Sequence, residues 1–385
     1  MTGSIAQRFG PRLAERRAQA LYRQRPIVSS PQGVTMVVNG QPYINFCAND
    51  YLGLASHAAI KQVLAADSTA GWGSGAAHLV TGHHEYHHQL ELALAEWLGV
   101  ERALLFSTGY MANLAVQQTL LQAGDLIVGD KLNHASLIDG ALASAAAFKR
   151  YPHLDYQALA RRLERAEGQS MIVTDSVFSM DGDLADIVAL AKLAHEHQAW
   201  LLVDDAHAMG VLGEQGRGSF SYFGLTPAAD HVLMGTFGKA FGTSGAFVAG
   251  SEVLIESLIQ FARPFIYTTA MSPLNALATL KALELVMEGD DLRAQLNANI
   301  AQLRSGLSAL GLDLTASQSA IQPVLCASSE QALAWSEQLK HQGFWVAAIR
   351  PPTVAQARLR ITLSAEHHPE QIARLIEAFA DITKQ

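Results

Sequence analysis

The chain has 385 residues and a formal net charge of -8, with 49% hydrophobic and only 16% charged residues. That length carries two or three structural units and a large core. The acidic balance excludes a nucleic-acid binder working through a basic face, and two cysteines exclude a disulfide framework or a Cys-rich zinc site. A charged fraction this low, against about 25% in an average soluble domain, points to surface covered by a second subunit.

Residues 1–45 read as an arm, a helix followed by a strand pair turned at Asn39-Gly40. The arm alternates Arg with Ala and Leu, lacks the apolar block of a signal peptide, and carries Glu15, so its first helix is an ordinary one. No apolar run approaches the ~20 residues of a membrane span, and the expected setting is cytoplasmic. From 46 to 285, short apolar runs (103–106, 126–128, 171–174, 200–203, 231–234) alternate with helical patterns such as 87–99, 134–145 and 186–197. Strands too apolar to alternate, separated by amphipathic helices, predict a large α/β domain with a mostly parallel sheet covered by helices. Two long helices follow, 272–288 and 291–310. Short strands near 322–326, 344–348 and 357–362, with helices at 329–340 and 368–382, predict a smaller α/β domain over 286–385.

Lysine is scarce, eight against nineteen arginines. Lys61, Lys192, Lys281 and Lys340 fall in helical patterns and read as solvated. Lys239 lies in GTFGKAFGTSG (235–245), directly after a strand, where α/β proteins bind ligands. The phosphate-loop order G-x-x-x-x-G-K-[ST] fails there, because its first glycine would fall on Leu233 and Ala240 follows the lysine. A Schiff-base amine and a structural or substrate-binding lysine both remain open. Asp204 closes the run 200–203. A carboxylate at that edge suits a metal, a nucleotide ribose, a protonated ring nitrogen, or the cap of a turn. His207 in the following turn offers a ligand, a base or a donor. Ser107, Thr108 and a helix starting near Tyr110 form a phosphate cradle, and Ser179 adds a hydroxyl at another strand end.

Residues 84–88, HEYHH, match the H-E-x-x-H pattern of zinc proteases. No later Gly and His continue it, and the segment opens a helix (84–98) instead of lying inside one. It reads as a polar first turn, and no metal is expected.

The stretches 45–54, 73–91, 130–140, 175–183, 203–218 and 236–245 run in order over nearly the whole chain. On them the chain resembles the pyridoxal-phosphate (PLP) enzymes of fold type I and, among these, the α-oxoamine synthases. The resemblance implies that Lys239 is the Schiff-base lysine and moves the α-proton. It implies that Asp204 keeps the ring nitrogen protonated, which makes the ring an electron sink, and that His134 stacks on the ring and contacts substrate. His207 and Ser179 would bond near the phenolic oxygen, while Thr236 and the Gly109–Tyr110 turn would hold phosphate. Arg350 would clamp the amino-acid carboxylate, with Asn49 also at the substrate and Thr353 and Arg23 on the acyl side. Residues 267–269 would reach a neighbouring subunit's phosphate in a homodimer with shared active sites. The segments 321–323, 346–354 and 358–367 most resemble the biotin-pathway members, acyltransferases that condense L-alanine with pimeloyl-CoA or a pimeloyl carrier protein and release carbon dioxide. A glycine-using sister enzyme of the 2-amino-3-oxobutyrate ligase type is the alternative. A non-catalytic scaffold is disfavoured because lysine, aspartate and stacking histidine are all present. VAQARLR (354–360) departs from the family's usual Pro and Gly, which bears on the shape of that loop.

Overall fold

The computed structural model describes residues 3–19, 21–67 and 69–384. The arm begins with the helix Ile5–Ala18, none of whose residues is buried. It continues into β1 (Thr35–Val38), paired antiparallel with β2 (Gln41–Asn45). Asn39 and Gly40 take φ of 49° and 81°. Two successive positive φ values are what a tight two-residue hairpin demands, and Asn-Gly is the pair that adopts them at least cost.

The central sheet is built from β3 (Arg102–Phe106), β4 (Leu126–Asp130), β5 (Ala147–Tyr151), β6 (Ser170–Asp175), β7 (Trp200–Asp204), β8 (His231–Thr236) and β9 (Ala246–Gly250), in the order β3-β9-β8-β7-β6-β4-β5. The five strands β5, β4, β6, β7 and β8 are parallel, whereas β9 runs antiparallel to both β8 and β3. The sheet is therefore mixed, as a mostly parallel reading allows. Alternate residues of the same strand feed two cores. Leu104, Phe106, Ile127, Val173, Leu202 and Met234 pack with Ala112, Val116 and Leu137 on one face. Leu105, Val128, Ile172, Leu201, Val203 and Leu233 pack with Leu90, Trp97 and Ile187 on the other. Both faces are apolar, which is why these strands read as unbroken hydrophobic runs.

The C-terminal region places β10 (Ile321–Leu325), β11 (Phe344–Trp345), β12 (Ala347–Ile349) and β13 (Arg358–Thr362). The strand expected over 344–348 is two strands, broken at Val346. β11 pairs parallel with β2 of the arm, while β12 pairs antiparallel with β13. The second core face runs on without a gap into this region through Leu303, Val324, Leu359, Ile361 and Phe379.

In the parallel part, Asp175 sits opposite Asp204, and Asp204 opposite Met234. The carboxyl ends of β6, β7 and β8 thus lie side by side, and the loops leaving them share one edge of the sheet, where open α/β sheets place their ligands.

Candidate active site

The loop after β8 is pinned on both sides of Lys239. Phe237 and Phe241, two residues before and two after, are fully buried and meet edge to face with centroids 5.5 Å apart. Phe241 also meets Trp97 edge to face at 5.8 Å. Each buried ring contributes about 2–3 kcal/mol, so the loop is a rigid mount for the lysine between them. Gly242 has φ +66°, and a Cβ there would run into the backbone of Leu54 and Ala55. Only glycine lets the loop close this tightly. Burial lowers the Lys239 amine to about 8, against the opposing pull of the Asp204 and Asp175 charges.

Asp204, at the end of β7, is 4% exposed. Its Oδ2 accepts from Asn113 Nδ2 at 2.8 Å and its Oδ1 from the Ala206 amide at 3.1 Å. Asn113 Nδ2 also donates to Ser136 Oγ at 2.9 Å, and Ser136 Oγ lies 2.7 Å from His134 Nδ1. A polar chain therefore runs from Asp204 to His134. His134 is the N-cap of the helix Ala135–Ala143, its ring exposed and its backbone N–H donating to Asp175 Oδ2 at 2.6 Å. Burial, and then the neighbouring Asp204 charge, push the Asp175 carboxyl well above its usual range.

A second chain starts at His207. Its Nδ1 lies 2.6 Å from Tyr51 Oη, which lies 3.2 Å from Asn49 Oδ1. The same Asn49 oxygen accepts from Arg360 Nη2 at 3.2 Å, and Arg360 Nε donates to the Ser179 carbonyl at 2.6 Å. Burial pushes the His207 imidazole well below its ordinary range, helped by the Lys239 and Arg360 charges. The ring is therefore held neutral.

Thr108 caps the helix Gly109–Leu120, its hydroxyl accepting from the Met111 amide at 3.2 Å. The amides of Gly109 and Tyr110 have no acceptor among the described residues, and such free helix-start N–H groups attract phosphate. The Tyr110 hydroxyl bonds Asp139. Thr236, at the end of β8, donates its hydroxyl to the Gly245 carbonyl at 3.0 Å.

This arrangement has counterparts. The profile of the family described as aminotransferase class I and II matches residues 41–379. The chain belongs to this family. It is 60% identical to 8-amino-7-oxononanoate synthase of Hydrogenovibrio crunogenus, over 98% of this chain and 96% of that one. A solved structure of SPT with PLP superposes with a TM-score of 0.92 at 30% identity, covering 99% of both chains. 8-amino-7-oxononanoate synthase from Francisella tularensis superposes with a TM-score of 0.78 at 34% identity, over 89% of this chain and 98% of that one. The fold is that of the fold type I transferases.

Within this aminotransferase fold, the two chains of hydrogen bonds gather Asn49, His134, Ser179, Asp204 and His207, and the charges of Asp204 and Asp175 act on Lys239. They also bring in Tyr51, Asn113, Ser136, Asp175 and Arg360, which sequence reasoning did not single out. Asp175 had a visible signal, since it closes a buried strand just as Asp204 does. Arg350 is not part of either chain. It is half-buried beyond β12, its carbonyl accepts from the Thr353 amide at 3.0 Å, and its charge bears on Glu330. The guanidinium joined to Asn49, and felt at Lys239, is that of Arg360. Thr353 and Arg23 are exposed, and neither side chain has a hydrogen bond among the described residues.

The HEYHH segment opens the helix Glu85–Leu98. His84 Nδ1 accepts from the Tyr86 amide at 3.2 Å. His87 Nδ1 accepts from the His84 amide at 2.9 Å, and its Nε2 lies 2.8 Å from the Met271 carbonyl. The motif's first histidine is a helix cap. No helix among the described residues is long and apolar enough to cross a membrane.

Proposed function

We propose that this chain is a PLP-dependent acyltransferase of biotin biosynthesis. It condenses L-alanine with a pimeloyl thioester, giving 8-amino-7-oxononanoate, carbon dioxide and the free thiol. The observation that carries the reading is the mount of Lys239 beside Asp204 in a chain 60% identical to an 8-amino-7-oxononanoate synthase.

The donor set fits PLP. The fold presents an amine held near neutrality, a buried carboxylate for a ring nitrogen, an exposed imidazole for a ring face, and two amides without acceptors for a phosphate. Bound there, PLP supplies an electron sink for a carbanion at the amino-acid α-carbon. Lys239 holds the cofactor and afterwards carries the α-proton, a task suited to an amine near 8. Asn113 and the Ala206 amide fix Asp204, so its charge faces one direction. Ser136 fixes the His134 ring by its Nδ1, leaving the ring face to pack on the cofactor and meet substrate. His207, neutral and bonded to Tyr51 through Nδ1, presents Nε2 to the phenolic oxygen beside Ser179. Thr236 joins the Gly109 and Tyr110 amides at the phosphate. Arg360, steadied by Asn49 and the Ser179 carbonyl, takes the alanine carboxylate in the fork geometry of a guanidinium. Arg350, Thr353 and Arg23 are assigned to the acyl side.

The protein works as a homodimer in the cytoplasm. Trp72, Val80 and Tyr267 are 87%, 73% and 70% exposed, apolar area of the kind a second subunit covers. Residues 267–269 then reach the neighbouring site.

The test crosses alanine and glycine against pimeloyl and acetyl thioesters, reading thiol and carbon dioxide release. One methyl in a pocket discriminates by only about 10–200-fold, so the acyl chain is the sharper readout. Alanine with a pimeloyl thioester is expected to be turned over best. A preference for glycine with acetyl-CoA would reject the assignment and leave the family intact. Running the pimeloyl arm as both the coenzyme A and the carrier-protein thioester identifies the donor.

A further inference from the structure

Three side chains outside the strand-end site converge on one point. His83 follows the π-helical turn His78–Gly82, and His88 and Glu91 lie three residues apart on the helix Glu85–Leu98. Their ligand atoms all lie within 4.8 Å of one another. Positions i and i+3 share a helix face, which brings His88 and Glu91 together. Glu91 has a side chain only 13% exposed. Its Oε1 accepts from the Leu105 amide of β3 at 3.1 Å, while Oε2 faces His83 Nε2 at 3.9 Å, too far for a hydrogen bond. The other nitrogen of His83, Nδ1, lies 2.9 Å from His78 Nδ1. His78 is in turn stacked on Phe265, with centroids 5.2 Å apart. That bond orients the His83 ring and leaves Nε2 aimed at Glu91, the arrangement outer partners impose on metal-binding histidines. The ring of His88 has no hydrogen bond among the described residues.

We propose that His83, His88 and Glu91 bind a divalent transition-metal ion, zinc in particular, with water completing the shell. Two imidazoles and a carboxylate are an established zinc donor set, and ligand atoms ~2.0–2.2 Å from a tetrahedral ion stand about 3.3–3.6 Å apart. Small side-chain rotations close the present spacing. Magnesium and calcium, which take oxygen ligands, do not fit. This set is not the H-E-x-x-H pair, because His84 is not among the side chains whose ligand atoms converge here. None of the three ligands belongs to the polar chains around Lys239, so the ion acts structurally. It ties the loop before the helix to the helix itself and, through Glu91, to β3.

The test titrates tag-free, cofactor-loaded protein with zinc by calorimetry, and with cobalt by its visible d–d bands at wavelengths beyond the cofactor band. One ion per chain is expected, with a rise in melting temperature on adding zinc. Both are lost in His88→Ala and Glu91→Gln and kept in His84→Ala and in His341→Ala, a distant exposed control. Glu91 also serves the Leu105 amide, so His88→Ala, which removes no hydrogen bond, decides the matter if Glu91→Gln misfolds. Absence of one-to-one binding, or binding that survives His88→Ala, overturns the proposal. Loss in His84→Ala with retention in Glu91→Gln puts the ion on the H-E-x-x-H pair and overturns it equally.

Discussion

Tyr51 Oη lies 2.6 Å from His207 Nδ1, a bond between residues 156 positions apart. Burial pushes the Tyr51 phenol up to about 12, so it stays protonated. With Nδ1 engaged, the neutral imidazole of His207 offers one defined nitrogen to a ligand. Tyr51→Phe keeps the ring in its buried place and removes only the hydroxyl. A hydrogen bond of about 1 kcal/mol lost at the reacting centre gives roughly a 5–10-fold fall in kcat. Cofactor stoichiometry is expected to be unchanged, while the visible band of the bound cofactor shifts. An unaltered spectrum and kcat would reduce Tyr51 to a packing residue.

Lys239 makes a pH prediction. A lysine amine ordinarily titrates near 10.4, but burial brings this one to about 8. Only the unprotonated amine is a nucleophile. The rate at which cofactor-free protein captures PLP should therefore climb with pH and level off just above 8. Stopped-flow absorbance reads it directly. A climb that continues to pH 10 would show that the amine is not perturbed. Borohydride fixation followed by peptide mapping should place the label on Lys239, and Lys239→Ala should bind PLP weakly and lose turnover.

Asp204→Asn nearly conserves size and removes the charge. The cofactor should still load, while exchange of the alanine α-proton falls by about 100-fold or more, since a charge opposite a ring cation is worth several kcal/mol in a buried site. Asn113→Ala removes one of two groups holding the same carboxylate and should cost about 10-fold. Proton exchange followed by NMR in deuterated water checks both. Near-normal exchange in Asp204→Asn would mean another group serves the ring nitrogen.

Much of this was legible in the chain, for definite reasons. Strands buried on both faces leave continuous apolar runs, so β3, β4, β6, β7 and β8 stand out, and the chemistry sits at their carboxyl ends. β9 was not seen. It returns antiparallel after a nine-residue loop, where a parallel pattern leads one to expect a helix. β5 carries Lys149 and Arg150 in its middle and lies at the sheet edge, so it also lacks a run. The strand around Val346 split because its halves serve different sheets, and nothing local marks that. Lys239 and Asp204 could be named because each sits at a strand end and lysine is scarce, whereas His134, one of 15 histidines, is named only through the family resemblance. Asn113 lies mid-helix and Arg360 mid-strand, where local pattern assigns them to structure. Only the tertiary pairing of Arg360 with Asn49, 311 positions away, shows otherwise.

His153 bridges two carboxylates, with Nδ1 3.0 Å from Asp130 Oδ1 and Nε2 2.7 Å from Asp183 Oδ2. Burial alone would lower its pKa, but the two acidic partners outweigh it and raise the imidazole to about 10. A folded value above the unfolded ~6.5 means the bridge stabilises fully below about pH 6.5 and fades as pH rises toward 10. At its maximum it is worth on the order of 2–3 kcal/mol, discounted for partial exposure. His153→Gln should therefore lower Tm most near pH 6, with the gap to wild type closing by pH 10. A gap that is constant from pH 6 to 10 would mean the imidazolium is not the source. Because Asp183 belongs to the turn that carries Ser179, the variant should also weaken cofactor retention in the lower range.

The two arginines near the C-terminus can be told apart. Arg360 is 8% exposed and bonds Asn49 and the Ser179 carbonyl, and its charge reaches Lys239 and His207. Arg350 lies beyond β12 and does neither. Lysine keeps the charge but loses the planar fork, which matters where a carboxylate is held bidentately. Arg360→Lys should raise KM for alanine about 10–100-fold, the loss of roughly 1.5–3 kcal/mol of charge-assisted bonding. Its KM for the thioester should stay within about 3-fold, given that interface-remote contacts usually add independently. Arg350→Lys should show the reverse split, with alanine KM nearly unchanged and the thioester KM raised. Initial rates with each substrate varied at saturating levels of the other give the four numbers. A rise in alanine KM confined to Arg350→Lys would return the carboxylate to Arg350 and leave Arg360 as the brace of the 176–183 turn.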